Sequence, residues 1–322
     1  MRIGFFTEAG YQGTPPRDTQ NMRTDLSWVC ALNAVHHPIQ TINQLPDNSY
    51  DIGICIIPKK RTHLHSIDLS KELKRVCGKI VNMQEGCHWE WMDDEIEDQI
   101  WWFNQVVEMD MILCHNDADV KYFGGITSRP SQLFQTLMIT DLLTETLPKK
   151  DAVMIHGNWC MLNRGFDSYM VATEFGKWDR ASTEIHAPSM GRKIEFEDQM
   201  ENLIHLPYMN WVDWVNHLSQ FKYVVHLMPT HAAGTFAMNC AYWGIPCIGY
   251  DGLDTQQILH PKCSVSNGNL DLAREVAMRL ANNSEFYKEC SEDTIEKYKK
   301  YFDESVYVNN MEKIIEGVML NE

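Results

Sequence analysis

The sequence lacks the features that mark membrane-embedded, disulfide-bonded and nucleic-acid-coating proteins. Its longest apolar run, Ile52–Ile57, is far shorter than the roughly 20 residues that a membrane helix needs. Ten cysteines are scattered without a single C-x-x-C pair, which favours buried free thiols in a reducing compartment. With 28 Lys and Arg against 44 Asp and Glu, the net charge is −16, which argues against broad, nonspecific nucleic-acid binding.

Other absences limit cofactors and location. The chain enters its first apolar strand directly, with no charged-then-apolar signal segment, so we expect a cytoplasmic protein. No G-x-G-x-x-G pattern follows a strand, so there is no dinucleotide fingerprint. Of the 13 histidines only His36–His37 and His63-x-His65 form close pairs, neither with a Cys or carboxylate neighbour at ligand spacing, and we predict no metal site.

Short apolar runs alternate with helical patterns along the whole chain, which is typical of doubly wound α/β sheets. We expect a helix that begins near Thr24 to continue to Pro38, and Thr127–Lys150 to have a helical middle that leads into a linker. Further helices are predicted over Trp211–Leu218 and over Glu292–Phe302, the latter capped by Ser291, and a last apolar stripe is formed by Met311, Ile314, Ile315 and Val318. We expect Trp101 or Trp102 to lie in a core. The length fits two domains, 1–148 and 149–322. The predicted strands are Arg2–Thr7, Tyr50–Ile57, Lys79–Met83, Asp110–Cys114, Ala152–His156, Glu184–Ala187, Leu203–Leu206, Val224–Met228 and Cys247–Tyr250.

The stretch Tyr223–Tyr250 is the most informative part of the sequence. An apolar strand is followed by a small-residue turn, a helix from Thr235, a Gly-x-Pro stop and a second strand. Such a turn lies at the carboxyl end of a parallel strand, where open α/β sheets bind ligands, and a helix start favours an anion. His231 and Asn239 are eight positions apart, so both could face a ligand above Gly234.

This stretch resembles the donor-site signature of retaining GT-B glycosyltransferases, the large family that includes sucrose and trehalose phosphate synthases. That signature is Glu, seven residues, Glu, then Ala-x-x-Gly-x-Pro. Ala241, Gly244 and Pro246 match its tail, whereas His231 and Asn239 occupy the two acid positions. The resemblance covers roughly Lys149 to Pro261 and implies that His231 meets the transferred sugar and Asn239 the ribose.

The resemblance extends to a second motif, in which the family uses two basic residues to grip the donor diphosphate. Arg164, before Gly165, falls at the second basic position, while Asn158 replaces the first. The residues implied for nucleotide-sugar binding are Gly13, Asn158, Arg164, Pro207, Tyr208, Gly234, Thr235 and Asn239. The candidate catalytic or sugar-contacting residues are His231 and Arg164 in the second half, and Glu85, His88 and His115 at the strand ends of the first half.

The resemblance implies an α/β fold of two Rossmann-like doubly wound domains, the GT-B arrangement, with a C-terminal helix that crosses back to the first domain. A hexosyl group would move from a nucleotide sugar such as UDP-glucose to an acceptor hydroxyl, with retention and without a metal ion or another cofactor. The basic triplet Lys59–Arg61 suggests an anionic saccharide acceptor. A hydroxymethylated base in phage-type DNA is the second choice, with Trp89 or Trp91 as stacking partner.

Two alternatives remain open at this point. Asp117 and Asp119 form a D-x-D triplet after an apolar strand, as in metal-dependent GT-A transferases, although a GT-A fold leaves the second strand–helix half unexplained. The loss of both family acids, at His231 and Asn239, also fits a non-catalytic module that binds a sugar or nucleotide. Loss of activity on chelation of metal ions would favour the GT-A alternative. Turnover of any nucleotide sugar would exclude the non-catalytic one.

Overall fold

A computed structural model describes residues 1–22, 24–58, 67–84, 86–92, 94–145, 149–156, 165–176, 183–188, 195–200, 202–229, 234–252 and 254–320. Packing divides the chain into two compact units. The first contains Met1–Thr19, Arg23–Ile139 and Glu304–Glu322, and the second contains Gln20–Met22 and Thr140–Asp303.

The first unit is built on a parallel sheet of six strands in the order β2-β1-β3-β4-β5-β6. Most residues of its inner strands are apolar and buried, as expected of a parallel sheet packed between helices, whereas the edge strand Ser131–Leu133 is largely exposed. The strands are β1 Ile3–Thr7, β2 Val35–Pro38, β3 Tyr50–Cys55, β4 Cys77–Met83, β5 Met111–Cys114 and β6 Ser131–Leu133. The helices between them are α1 Thr24–Ala31, α2 Leu69–Val76, α3 His88–Met92, α4 Ile96–Val106 and α5 Asp117–Thr127.

The second unit repeats this plan with a parallel sheet in the order β12-β11-β10-β7-β8-β9. Val224 of the central strand lies opposite Met154 on one side and Cys247 on the other. The strands are β7 Lys150–Ile155, β8 Ile185–Pro188, β9 Leu203–Leu206, β10 Phe221–His226, β11 Cys247–Tyr250 and β12 Ser264–Val265. The helices are α6 Gly165–Ala172, α7 Trp211–Leu218, α8 Thr235–Tyr242, α9 Asp254–Leu259, α10 Leu270–Asn282 and α11 Ser284–Tyr301.

The last helix, α12 (Glu304–Leu320), belongs to the first unit, which confirms the predicted return of the C-terminal helix. Its buried face is the predicted apolar stripe, and Tyr307 and Met311 are each only 1% exposed. Arg17 pairs with both carboxylate oxygens of Glu304 at 2.8 and 2.7 Å, and Asn310 donates to Gln135 at 2.9 Å. These contacts anchor the end of the chain to the first unit.

Two predicted helices were wrong, for the same reason. α1 ends at Ala31, Asn33 adopts φ 47°, and the residues before Pro38 form the edge strand β2. In the second case the left-handed Ser128 ends α5, and the chain continues as β6 without a further helix in the described residues up to 145. In both segments strand pairing and burial outweigh the helical spacing of the apolar residues. Phe134 and Thr136–Ile139, for example, are buried without forming a helix.

The start of the predicted helix at Glu292 was also wrong. α11 begins at Ser284, eight residues earlier. Its N-cap is Asn283, whose side chain accepts a hydrogen bond from the amide of Phe286 at 3.0 Å. Ser291, the predicted cap, instead donates to the Gly244 carbonyl at 2.6 Å. The hydroxyl therefore joins α11 to the end of α8 rather than capping a helix.

Candidate functional site

The carboxyl edge of the second sheet places a glycine turn against the start of α9. Gly234 precedes α8 with φ 67°, a left-handed conformation that favours glycine. A Cβ atom on Gly234 would lie 1.7 Å from Oγ1 of Thr255, so a side chain has no room there. Because glycine has no side-chain oxygen, the N-cap residue does not occupy the first amides of α8, and such a helix start favours an anion.

Several buried polar atoms around this turn have no hydrogen-bond partner among the described residues. They are Oδ1 of Asn239, Oγ1 of Thr255 and the Nδ1 atoms of His156 and His226. Asn239 and Thr255 are only 4% and 6% exposed, so water does not readily satisfy them. A buried polar group without a partner costs about 1–3 kcal/mol, and such groups are characteristic of sites that a ligand completes. This turn is therefore the candidate binding site of the second unit.

Two histidines and an aromatic ring form the wall of this site at the ends of β7 and β10. The ring centroids of His156 and His226 are 4.7 Å apart, and both rings pack against Phe236, at 4.4 and 4.9 Å. Burial lowers the pKa of His156 to about 4 and holds the pKa of His226 well below its usual range. Both imidazoles are therefore neutral at neutral pH, and the wall can offer hydrogen bonds without carrying charge.

A third histidine, His260, hydrogen-bonds to the backbone of α8. His260 donates through Nε2 to the carbonyl of Ala237 at 2.9 Å, while its Nδ1 accepts from Oγ1 of Thr294 at 3.2 Å. Burial lowers the pKa of His260 to about 4, which keeps the neutral form that this pattern requires. Sequence reasoning missed His260, because its partners lie 23 and 34 residues away and no local spacing signals them.

Another pair of contacts fixes the chain where it leaves β10. The amide of Leu227 donates to Oγ of Ser168 at 3.0 Å, which ties the strand end to α6. The Tyr250 hydroxyl, at the end of β11, donates to Oδ2 of Asp167 at 3.0 Å. Both partners on α6 directly follow the predicted Arg164–Gly165 motif, so the structure places that helix at the same edge as the Gly234 turn.

The residues predicted to contact the base of the nucleotide lie farther along this edge of the second sheet. Pro207 and Tyr208 follow β9, and Tyr208 is 71% exposed. β9 is three positions from β10 in the sheet, which corresponds to roughly 14 Å at the usual strand spacing. The structure thus places Tyr208 on the same edge as Asn239, but outside the buried cluster.

In the first unit, Gly13 is held in place by a buried histidine. Gly13 has φ 98° and exchanges two backbone hydrogen bonds with His36, at 2.8 and 3.0 Å. The His36 ring donates from Nδ1 to the Tyr11 carbonyl at 2.5 Å and accepts at Nε2 from the Thr7 hydroxyl at 2.9 Å. Burial lowers the pKa of His36, consistent with this neutral pattern. The glycine-containing loop after β1 is therefore fixed beside the edge strand β2 of the first sheet.

His115 follows β5 but lies in an aromatic environment. Its ring centroid is 5.2 Å from that of Trp28 and 4.2 Å from that of Phe134. Neither ring nitrogen has a hydrogen-bond partner among the described residues, and burial lowers the pKa of His115 to about 3. The imidazole is neutral at physiological pH.

The D-x-D aspartates do not form a metal site in the part of the chain that the structure describes. Asp119 is buried and accepts hydrogen bonds from Asn116 and His88. No group of three His, Cys, Asp or Glu side chains that could hold a metal ion occurs within the described ranges.

None of the helices in the described part of the chain combines the length and apolar character needed to cross a bilayer.

Several predicted residues lie outside the described part of the chain. These are Glu85, Asn158, Arg164, His231 and the triplet Lys59–Arg61. Of the tryptophans, Trp102 is buried in the core of the first unit, as predicted. Trp91 packs beside it with a ring-centroid distance of 5.0 Å, and Trp89 is half-buried.

Comparison by sequence finds nothing: no family model matches the chain, and no curated protein is similar to it. Comparison by structure finds glycosyltransferases. The Anabaena HepE structure in complex with UDP and glucose superposes with a TM-score of 0.69 and 9% identity, over 98% of this chain and 100% of that one. Sucrose-phosphate synthase from Thermosynechococcus elongatus gives a TM-score of 0.64 at 9% identity, over 85% of this chain and 75% of that one.

A third match is the pneumococcal O-GlcNAc transferase GtfA in complex with UDP and GlcNAc, with a TM-score of 0.62 and 10% identity. It covers 88% of this chain, which spans 59% of GtfA. These likenesses and the two parallel six-stranded sheets establish the predicted GT-B fold. They give no support to the GT-A alternative.

Proposed function

We propose that the protein is a glycosyltransferase that moves a sugar from a nucleotide sugar to an acceptor hydroxyl. The observation that carries this proposal is the Gly234 turn, where a helix start without a side-chain cap adjoins buried polar atoms that have no hydrogen-bond partner among the described residues. The GT-B fold is one in which HepE binds UDP and glucose and GtfA binds UDP and GlcNAc. A UDP-hexose such as UDP-glucose is therefore the first donor to test.

The chemistry of each group suggests its part in donor binding. The first amides of α8 would receive the diphosphate, assisted by the guanidinium of Arg164. Oδ1 of Asn239 can accept a hydrogen bond from a ribose hydroxyl, as a carboxylate would at the same position. The neutral His156 and His226 add no negative charge to repel the diphosphate. His231 would contact the transferred sugar.

Charge must be stabilised where it develops as the bond to the anomeric carbon breaks. The leaving nucleoside diphosphate gains negative charge, which the first amides of α8 and the guanidinium of Arg164 would stabilise. This arrangement needs no metal ion or cofactor, and we propose a metal-independent reaction. Retention at the anomeric carbon rests on the likeness to the retaining family alone.

We propose a saccharide as the acceptor, bound by the first unit. The triplet Lys59–Arg61 comes after β3 in the sequence, and its positive charge favours an anionic saccharide. The compared structures give no support to a DNA acceptor.

A thermal-shift panel tests the donor site directly. UDP, GDP, ADP and CDP are compared with their nucleosides, because a ligand present at 100 times its Kd stabilises the fold by about 2.7 kcal/mol. One diphosphate should raise the melting temperature by several degrees while its nucleoside has a much smaller effect. If no diphosphate shifts the transition, the proposed site is wrong. Binding without any turnover would favour the non-catalytic alternative.

A further inference from the structure

A histidine and an aspartate pair at the carboxyl edge of the first sheet. Nδ1 of His88 lies 2.6 Å from Oδ1 of Asp119, and the backbone amide of His88 donates to the same oxygen at 3.0 Å. His88 follows β4 and Asp119 follows β5, two strands that are neighbours in the sheet. Residues 31 positions apart thus converge where parallel strands end, the usual place for a ligand site.

The aspartate is held rigidly. Its second oxygen, Oδ2, accepts from the Asn116 side chain at 2.7 Å, and its own amide donates back to Oδ1 of Asn116 at 2.8 Å. The Asp119 side chain is 3% exposed, whereas that of His88 is 26% exposed. The His88 ring also stacks on Tyr122, with centroids 4.5 Å apart. The buried carboxylate is therefore the fixed partner, and the imidazole is the group that reaches solvent.

The hydrogen bond determines the tautomer of His88. An ionised carboxylate can only accept, so Nδ1 must carry the proton. In the neutral ring the lone pair is then on Nε2, and no described residue hydrogen-bonds to that atom. A carboxylate behind an imidazole also stabilises the positive charge that appears when Nε2 takes up a proton. These are the properties of a general base.

We propose that His88 is the group that accepts the proton of the acceptor hydroxyl, with Asp119 as its positioning residue. This rests on the proposed glycosyltransferase function. As the acceptor oxygen forms its bond to the anomeric carbon, the O–H proton passes to Nε2 of His88. The bond between that carbon and the diphosphate breaks, and its electron pair leaves with the nucleoside diphosphate. The step balances for either anomeric outcome.

His115, the other predicted acid–base residue that the structure describes, is less suited to this task. It is 8% exposed, is enclosed by Trp28 and Phe134, and has no carboxylate against either ring nitrogen. Proton uptake would leave a buried, unpaired charge. The geometry therefore assigns the base to His88.

The test compares His88→Ala, His88→Gln and Asp119→Asn with the matched control His217→Ala. His217 packs against Phe221 at the amino end of β10, the opposite edge of the other sheet. General-base catalysis contributes about 100- to 10,000-fold, so both His88 variants should lower kcat at least 100-fold and leave nucleoside diphosphate affinity unchanged. Asp119→Asn should lower kcat at least 10-fold, and the control should match the wild type.

A second measurement does not need turnover. In ¹⁵N NMR spectra of the wild type at pH 8, His88 should show a protonated Nδ1 and an unprotonated Nε2, and Asp119→Asn should change this balance. Melting temperatures report whether each variant is folded.

The outcomes separate the two proposals. A His88→Ala variant with kcat within threefold of the wild type, or an Nε2-protonated neutral ring, would overturn the role of His88 and leave the glycosyltransferase proposal intact. If the wild type binds nucleoside diphosphate but transfers no sugar, the role of His88 as general base is overturned and the proposed nucleotide site is preserved. A wild type that neither binds nor transfers would overturn both.

Discussion

Substituting Gly234 by alanine tests the glycine turn that forms the proposed donor site. A left-handed conformation costs a residue with a side chain about 1–2 kcal/mol. The new Cβ would also lie 1.7 Å from Oγ1 of Thr255, so α9 or the Thr255 side chain must move, which typically costs about 1–3 kcal/mol more. We expect a total destabilisation of about 2–5 kcal/mol, measured by urea unfolding. Nucleoside diphosphate binding should weaken because the start of α8 shifts.

Gly268→Ala is the matched control. Gly268 has φ 82°, and a Cβ there would have no atom within 4 Å, so this variant pays only the conformational cost of about 1–2 kcal/mol. The lower entropy of the unfolded chain that alanine brings is common to both variants and cancels in the comparison. The difference between the two therefore isolates the overlap with Thr255. Equal destabilisation by both substitutions would refute the close approach, and unchanged nucleotide affinity in Gly234→Ala would separate the turn from the donor site.

Three further predictions concern charge and protons. The pKa values of His115, His156 and His260 are lowered to about 3, 4 and 4, so the unfolded chain binds protons below pH 6.5 that the folded chain does not. The free energy of unfolding should have its full value above pH 6.5 and decrease as the pH drops towards 4. At pH 5 each histidine should lower it by about 2 kcal/mol. A urea midpoint that stays constant between pH 7.5 and pH 5 would contradict this. Arg164→Ala should weaken nucleoside diphosphate binding at least tenfold in calorimetry but leave nucleoside binding nearly unchanged, and equal losses would remove Arg164 from the diphosphate grip. EDTA should leave turnover unchanged, whereas activity lost to EDTA and restored by Mn²⁺ would show a metal-dependent reaction.

The strands and the central βαβ unit could be predicted because their signals are local. The bounds of α8 and β11 were predicted to within one residue. The signals were the apolar run before Pro229, the glycine turn, and the Gly244-x-Pro246 stop. α7 was predicted with its observed bounds, Trp211–Leu218. In these segments burial, periodicity and helix punctuation agree, so each residue indicates the same structure.

The rest depends on distant residues. β2 and β6 are edge strands whose apolar residues also fit a helix, and only pairing with β1 and β5 decides between the two. Similarly, the His88–Asp119 pair and the support of α8 by His260 join residues 31 and 23 positions apart. Sequence spacing identified the chemical groups at the strand ends, but not which of them meet.

The most direct measurement for the whole account is sugar transfer by the wild-type protein. The enzyme is incubated with UDP-glucose, and then with the GDP, ADP and CDP sugars, together with a mixture of neutral and anionic saccharides, and products are identified by mass spectrometry. The account predicts that one nucleotide sugar yields a saccharide heavier by one hexosyl unit together with an equimolar amount of nucleoside diphosphate. If no nucleotide sugar is bound or consumed under any of these conditions, the proposed function is contradicted.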